Sequence, residues 1–208
     1  MLSIVIDNQQ FSAQRGETIL QVARKAGIYI PTLCHDPRVI PSGACRMCVV
    51  EEAGGRGKLI NACSTPVSDG MTVRTNTPRV QAARKLVIEL LLKEHPNDCM
   101  TCEANGDCKL QDYAYGLGLR VPLTPPNRFT EAIDESSPAI LLDRNKCILC
   151  ARCVRACNEV QVHGVLNLDK RGHQTRIIAD YDQPLGESSC TACGECVSVC
   201  PVGALVKK

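Results

Sequence analysis

The stretch that decides the fold is a cysteine run that occurs twice. Residues 147–157 read CILCARCVRAC, and residues 190–201 read CTACGECVSVCP. Both runs have the spacing C-x2-C-x2-C-x3-C, and the second ends in Cys200-Pro201. Such a run places three thiolates around one [4Fe-4S] core and sends the fourth thiolate to a neighbouring core. The sequence therefore predicts two adjacent [4Fe-4S] clusters.

The crossed pattern assigns the ligands across the two runs. The first cluster takes three cysteines of the first run and the last cysteine of the second: Cys147, Cys150, Cys153 and Cys200. The second cluster takes the remaining four: Cys190, Cys193, Cys196 and Cys157. Zinc is satisfied by two C-x2-C pairs and gives no reason for a third and fourth cysteine at these steps. A zinc-bound structural adaptor is therefore the disfavoured alternative.

The composition excludes several classes of protein. Fifteen of the 208 residues are cysteine, an odd number that cannot pair completely within one chain, so metal ligation explains them better than disulfides. Residues 1–10 lack a basic segment followed by an apolar one, so we expect a reducing, cytoplasmic location. No apolar run is long enough for a membrane span. The formal charge of +2, without a long run of either sign, gives no electrostatic reason to expect nucleic-acid binding.

A first block of cysteines precedes the two runs and consists of Cys34, Cys45, Cys48 and Cys63. Its spacing, C-x10-C-x2-C-x14-C, departs from the plant-type C-x4-C-x2-C pattern but keeps the central pair and one distant ligand on each side. Four thiolates suit a [2Fe-2S] cluster, which we predict here. Gly43 and Ala44 would let backbone N–H groups approach the sulfides, and Arg46 would add positive charge, and both effects raise the reduction potential. The alternative for Arg46 is a solvent-exposed loop cation.

The second block has three cysteines, Cys99, Cys102 and Cys108, and a [4Fe-4S] core there needs a fourth ligand. His95 stands four residues before the first of them, while Asp98 and Asp107 are competing oxygen donors. Imidazole suits iron better than carboxylate in a sulfur-rich site, so the residues favour His95 without excluding the carboxylates. The other histidines have no vacancy to fill, and we expect surface or structural roles for them: His35, His163 and His173.

Periodicity predicts an α+β protein that begins with a β-grasp [2Fe-2S] ferredoxin domain over residues 1–76. Residues 3–7 alternate in polarity and lead into a hairpin, and a helix with helical apolar spacing follows from Glu17 to Gly27. Three further strands are predicted, at residues 47–51, 58–62 and 71–75.

Residues 77–120 are predicted to form a helical segment that carries the histidine and three cysteines. Thr77 caps a helix that begins at Pro78, and His95-Pro96 ends it. An apolar stripe on this helix is expected to be core; it comprises Ala83, Leu86, Val87, Leu90 and Leu91.

A proline-rich stretch, residues 121–138, is predicted to be an extended connector, which we expect to lie on another protein. Residues 139–208 then form a bacterial-type two-[4Fe-4S] ferredoxin domain. Its predicted strands cover residues 139–143, 165–168 and 176–179, with a turn at residues 169–174.

Several of these stretches resemble one known family. They are residues 43–51, residues 62–67 with Gly70-Met71, residues 95–103, and residues 108–112. The family is the N-terminal iron-sulfur region shared by the large iron-sulfur subunit of NADH:quinone oxidoreductase, iron-only hydrogenases, and the small diaphorase subunit of NAD-reducing hydrogenases. The resemblance covers nearly the whole chain and implies that His95 is a cluster ligand. Because the chain ends at Lys208, it resembles the short, relay-only members.

The resemblance implies an electron-transfer subunit with one [2Fe-2S] and three [4Fe-4S] clusters, between a flavin- and NAD(H)-binding subunit and a catalytic subunit such as a hydrogenase. No G-x-G-x-x-G follows a strand, so we expect no dinucleotide site and no substrate site in this chain. The alternatives are a free soluble polyferredoxin, or the equivalent subunit of a formate dehydrogenase, transhydrogenase or quinone reductase. The terminal substrate stays open.

Overall fold

The computed structural model describes residues 1–54, 57–119 and 130–208, and the chain divides into two compact units. The first unit comprises Met1–His35 and Pro41–Val87, and the second comprises Asp36–Ile40 and Ile88–Lys208. Across the described residues, every helix is too short or too polar to cross a membrane.

The first unit contains a five-stranded mixed sheet and one helix. In chain order the elements are β1 (Leu2–Ile6), β2 (Gln9–Ala13), α1 (Ile19–Lys25), β3 (Val49–Glu52), β4 (Leu59–Asn61) and β5 (Met71–Arg74). The sheet order is β2-β1-β5-β3-β4, with β1 parallel to β5 and the other pairs antiparallel. The expected order of two strands, a helix and three strands is therefore present.

Local sequence explains the hairpin and the helix of this unit. Asp7 and Asn8 join β1 to β2 with positive φ angles of 48° and 69°, the conformation of a two-residue hairpin turn. Thr18 and Gln21 form a capping box at the start of α1: the Thr18 hydroxyl accepts from Gln21 N–H, and the Gln21 side chain accepts from Thr18 N–H. Ile4 and Leu20, both fully buried, show that the apolar faces of sheet and helix form one core.

Helix α2 (Pro78–Glu94) carries the chain out of the first unit and into the second. Thr77 caps it, since its hydroxyl accepts from Val80 N–H at 3.2 Å, and the helix ends immediately before His95-Pro96, as predicted. The predicted core stripe, however, is wrong for Leu86 and Leu90, which are each 55 % exposed.

The buried face of α2 is turned from the expected stripe and comprises Val80, Arg84, Ile88 and Leu92. These residues repeat at every fourth position and so share one helix face. Arg84 belongs to this face because its guanidinium donates to Val49 O at 2.8 Å, a contact that hydrophobic periodicity does not reveal. Ala83, Val87 and Leu91 lie at the margin and are partly buried.

The second unit combines short helices with two small antiparallel sheets. Its elements are α3 (Lys109–Gly116), β6 (Ile140–Leu142), α4 (Arg152–Arg155), β7 (Leu166–Asp169), β8 (Arg176–Ala179), α5 (Glu195–Val199) and β9 (Leu205–Lys207). Strand β6 pairs with β9, and β7 pairs with β8. The predicted strands and the turn between β7 and β8 are present, and α3 lies in the segment that was predicted to be helical, whereas α4, α5 and β9 were not predicted. Cysteines take part in the core beside aliphatic side chains such as Ile140, Leu142 and Ile177.

The proline-rich stretch is described only from residue 130 onward, because residues 120–129 lie outside the described residues. The described part is bound to its own unit. Asp134 and Leu142 exchange two backbone hydrogen bonds of 2.9 and 3.0 Å, and Glu131 N–H donates to Asn145 at 2.9 Å. The Asp134 carboxylate also accepts from Leu185 N–H at 2.8 Å. Residues 130–138 are therefore folded onto their own unit, and the expectation that the stretch lies on another protein stays a prediction.

Candidate metal centres

The four cysteines of the first block come together although two long loops separate them. Cys34, Cys48 and Cys63 are each 1 % exposed. Hydrogen bonds from the Cys45 and Cys63 thiols lower the pKa of Cys34, and a hydrogen bond from Cys63 lowers the pKa of Cys48 to about 7. These contacts link the four thiols in the order Cys45, Cys34, Cys63 and Cys48, so the structure brings all four cysteines of the block together.

The backbone around Cys45 differs from the expectation in two ways. The N–H groups that reach the Cys45 sulfur belong to Cys34, at 3.4 Å, and Met47, at 3.5 Å. Gly43 is required for packing: it has φ 63°, and an added Cβ would lie 3.1 Å from Ser64 Oγ. The Arg46 side chain is exposed, which supports the loop-cation alternative over a charge held against the sulfides.

His95 and two cysteines of the second block, Cys99 and Cys108, line an apolar cavity of about 410 Å³, whereas Cys102 is not among its lining residues. Cys99 begins a single 3-10 turn, and Cys108 directly precedes α3. Burial raises the pKa of Cys108, while N–H groups of Gln111 and Leu110 at the start of α3 donate to its sulfur and partly offset that rise. Cys102 interacts electrostatically with both other thiols, so all three lie near one another.

His95 has the burial and the open nitrogen of a ligand. Its ring is 7 % exposed, and burial lowers its pKa, which keeps the imidazole neutral as ligation requires. Nδ1 accepts from Asn97 N–H at 3.2 Å, while buried Nε2 has no hydrogen-bond partner among the described residues. Ligation through Nε2 would move the ring proton to Nδ1, so the Asn97 contact would have to rearrange on loading.

The two carboxylates that compete with His95 are less suited to the site. Asp98 also borders the cavity, but its Oδ2 lies 3.5 Å from Lys146 Nζ and its side chain is 40 % exposed. Asp107 is exposed and belongs to the turn before Cys108. The geometry therefore favours His95 as the fourth donor.

The two cysteine runs assemble in the crossed arrangement. Cys147, Cys150, Cys153 and Cys200 line one cavity. Cys157, Cys190, Cys193 and Cys196 line another. Burial raises the pKa of Cys150 and of Cys196 to about 12, so these thiols are protonated until a metal displaces the proton.

The backbone of both runs curves around the cysteine sulfurs in the same way, and we call this curved backbone the cradle. Leu149 and Ala192 have positive φ angles of 54° and 53°, and their N–H groups donate to Cys147 and Cys190 sulfurs at 3.4 Å. Two residues further on, Ala151 (φ 55°) and Gly194 (φ 77°) are again left-handed. Alternation of right- and left-handed residues turns successive N–H groups toward one point and forms a site for an anionic group such as an iron-sulfur core.

The last two donor sets therefore fit iron-sulfur cores on two observations, the cysteine-lined cavities and the backbone cradles. For the first two sets the fit rests on the chemistry of the donors, which are four thiolates in one set and three thiolates with an imidazole in the other. Within the described ranges, no three His, Cys, Asp or Glu side chains converge closely enough to bind one metal ion. The cysteines of the last two sets instead surround a cavity, which is the arrangement that a multi-iron core requires.

The remaining histidines occupy varied positions. His35 is buried next to Cys34 in the sequence, whereas His163 and His173 are exposed. His163 Nε2 lies 3.2 Å from the Thr191 hydroxyl, beside the last cysteine run. These positions are consistent with surface and structural roles.

A charged network that was not predicted from the sequence links Asp36 to one residue in each of the two cysteine runs. Arg38 contacts both Asp36 oxygens, at 3.1 and 2.9 Å, and its Nη1 lies 2.7 Å from Glu195. Arg152 is 3.8 Å from the same Asp36 carboxylate. The hydrogen bonds from Arg38 hold the pKa of buried Asp36 well below its usual range. Asp36 and Arg38 are far from Arg152 and Glu195 in the sequence, so local patterns could not reveal the network.

Family models match three consecutive parts of the chain. Residues 1–78 match a 2Fe-2S iron-sulfur cluster binding domain, and residues 84–122 match the NADH-ubiquinone oxidoreductase-G iron-sulfur binding region. Residues 137–206 match the ferredoxin-like domain of NADH-quinone oxidoreductase subunit 3.

A solved structure and two curated proteins are similar over the whole chain. A chain in the crystal structure of an NAD⁺-reducing [NiFe]-hydrogenase in the H2-reduced state shares 34 % identity at a TM-score of 0.91, over 100 % of this chain and 87 % of that one. The NADP-reducing hydrogenase subunit HndD of Solidesulfovibrio fructosivorans is 42 % identical over 100 % of this chain and 36 % of its own length. The alpha subunit of the NADPH-Fe(3+) oxidoreductase of Geobacter sulfurreducens (strain DL-1 / KN400) is 38 % identical over 100 % and 24 %. The chain thus spans about a quarter to a third of these two relatives.

Proposed function

This chain belongs to the iron-sulfur subunit family that includes the matching chain of the NAD⁺-reducing [NiFe]-hydrogenase, and we propose on that basis that it is an electron-transfer subunit. It would carry single electrons between a flavin- and NAD(H)-binding subunit and a catalytic subunit, such as a hydrogenase, in a cytoplasmic complex. The crossed grouping of the last eight cysteines is the observation that carries the proposal. Two adjacent one-electron sites in one small domain suit a relay and serve no substrate chemistry.

Four groups of residues would hold the clusters. Cys34, Cys45, Cys48 and Cys63 would bind a [2Fe-2S] cluster. Three [4Fe-4S] clusters would be held by His95 with Cys99, Cys102 and Cys108; by Cys147, Cys150, Cys153 and Cys200; and by Cys157, Cys190, Cys193 and Cys196. When bound, each core accepts and releases one electron. The protein supplies thiolates, one neutral imidazole, N–H donors to sulfur and exclusion of water, which together set the reduction potentials.

The proposal is tested by anaerobic purification of the chain with its native partners. Native mass spectrometry should identify a flavoprotein and a catalytic subunit, and metal analysis should give at least about 14 iron atoms per copy of this chain together with acid-labile sulfide, since the partners add iron of their own. A free carrier, which is the alternative, would purify without a flavoprotein. Stoichiometric zinc without labile sulfide would contradict the proposal.

The histidine ligand has its own test. Replacement of His95 with Ala or Cys should alter the spectrum of one [4Fe-4S] cluster and leave the other clusters unchanged. Asp98→Asn and Asp107→Asn are the matched controls, and neither should alter the ligand type. An unchanged spectrum in His95→Ala would indicate that one of these carboxylates, and not His95, is the fourth ligand.

A further inference from the structure

A lysine from the first cysteine run faces the ligands of the second block. Lys146 precedes Cys147, yet its charge interacts with Cys102 of the second block as well as with Asp98 and Asp143, and it also acts on His95. Its side chain is only 14 % exposed, so solvent screens its charge weakly. A cation in this position acts on the histidine-containing site, although it is adjacent in sequence to another cluster's ligand.

Gly203 marks the place where this lysine and Cys102 meet. A Cβ added to Gly203 would lie 2.7 Å from Cys102 Sγ and 3.7 Å from Lys146 Cδ. The same loop is fixed to the second block by a hydrogen bond of 2.9 Å from Lys109 N–H to Pro201 O. Only glycine leaves enough room for the sulfur and the lysine stem to pack against the loop from one side.

Two carboxylates hold the ammonium group in place. Lys146 Nζ lies 3.5 Å from Asp98 Oδ2 and 3.5 Å from Asp143 Oδ2. Asp143 is itself fixed, because its Oδ1 accepts from Asn145 N–H at 3.0 Å. Loss of the ammonium would leave both carboxylates uncompensated beside the site, so the local charge would become more negative.

We propose that Lys146 is a positioning residue that raises the reduction potential of the cluster held by His95, Cys99, Cys102 and Cys108. The inference rests on the proposed function, since it requires a cluster at that site. A positive charge favours the reduced cluster, which carries one more negative charge than the oxidised cluster. Low exposure makes this effect larger than that of a surface lysine.

The test is an anaerobic redox titration of the purified complex followed by electron paramagnetic resonance. The His95→Cys variant identifies the signal of the second-block cluster. Lys146→Met should shift the midpoint potential of that signal downward, and Lys146→Arg, which keeps the charge, should restore most of it. Lys109→Met is the control, because Lys109 is also next to a ligand, Cys108, but is exposed and should shift the potential less.

A second variant, which should shift the potential in the opposite direction, tests the inference even if Lys146→Met does not bind the second-block cluster. Asp98→Asn removes the more exposed partner of Lys146 and should shift the same potential upward. Equal shifts in Lys146→Met and Lys109→Met, or no shift in Asp98→Asn, would overturn the inference and leave the electron-transfer proposal intact. Absence of any second-block signal in the unmodified protein would overturn both.

Discussion

The two four-cysteine sites of the second unit are built from the same run of residues but differ in burial. We call the set with Cys147 the inner site and the set with Cys193 the outer site. At the inner site Cys150 and Cys153 are buried, at 8 % and 7 % exposure. At the outer site Cys157 and Cys196 are equally buried, at 9 % and 7 %, but Cys193 is exposed, and so are its neighbours Thr191 and Ala192.

The comparison of the two sites separates backbone conformation, which the cysteine run determines, from burial, which the surrounding elements determine. The left-handed residues and the N–H donors to sulfur recur at matching positions in both sites, so the run itself determines the cradle. The degree of burial follows from the elements that cover each cradle. Residues of β6, β8 and β9 line the inner cavity, among them Leu142, Ile177 and Leu205. The outer cavity is also lined by buried residues, among them Ile140 of β6 and Leu166 of β7, but exposed His163 and Thr191 border it on the side of Cys193.

The largest expected effect tests the crossed grouping. Cys200→Ser should abolish the reduced-state paramagnetic signal of the inner cluster and preserve that of the outer cluster, although Cys200 belongs to the last run. Cys157→Ser should do the reverse. The Cys193→Ser variant, which lacks only the outer cluster, assigns the two signals. Loss of the outer signal in Cys200→Ser would show that each run binds its own cluster.

A second prediction uses the difference in exposure. Controlled exposure to air or to an iron chelator should destroy the outer cluster several-fold faster than the inner one, because oxidants and chelators reach exposed Cys193 more readily than buried Cys153. Paramagnetic resonance of samples reduced after timed exposure measures both losses. Equal rates would mean that burial of the ligands does not limit attack.

A third prediction compares the cradles directly. Gly194→Ala places a Cβ in the left-handed region and should lower stability by about 1 kcal/mol, or about 2–4 °C in thermal midpoint. Ala151→Gly at the matching position should relieve similar strain and raise the stability. Apart from its two chain neighbours, no described residue has an atom within 4 Å of a Cβ at Gly194, so a clash would not explain the loss. In an anaerobic thermal scan the two variants should shift the thermal midpoint in opposite directions. Shifts in the same direction would contradict the equivalence of the two cradles.

The smallest expected effect concerns the whole chain. Thiolate ligation changes the formal charge from +2 to roughly −5 when four oxidised clusters are bound. We expect docking to positively charged partner surfaces, so assembly of the complex should weaken as salt rises. Affinity measured at several ionic strengths tests this, and indifference to salt would count against charge-guided docking.

Spacing alone was sufficient for the local and repeated features. The cysteine runs predicted the grouping of their sulfurs, and Thr77 and Pro96 marked the two ends of α2. These features succeed because each depends on a few neighbouring residues whose backbone preferences are strong. The element order of the first unit followed for the same reason.

Only the tertiary structure decided the features that depend on distant partners. Leu86 and Leu90 were predicted to be core but are exposed, and the buried face instead includes Arg84, which donates to Val49 O. Lys146 reads as a residue of one cluster loop but faces another, and Arg38 joins Glu195 across 157 positions. The burial and the charge around a residue depend on all groups that lie near it in space. Sequence spacing, in contrast, reports only on groups that are close along the chain.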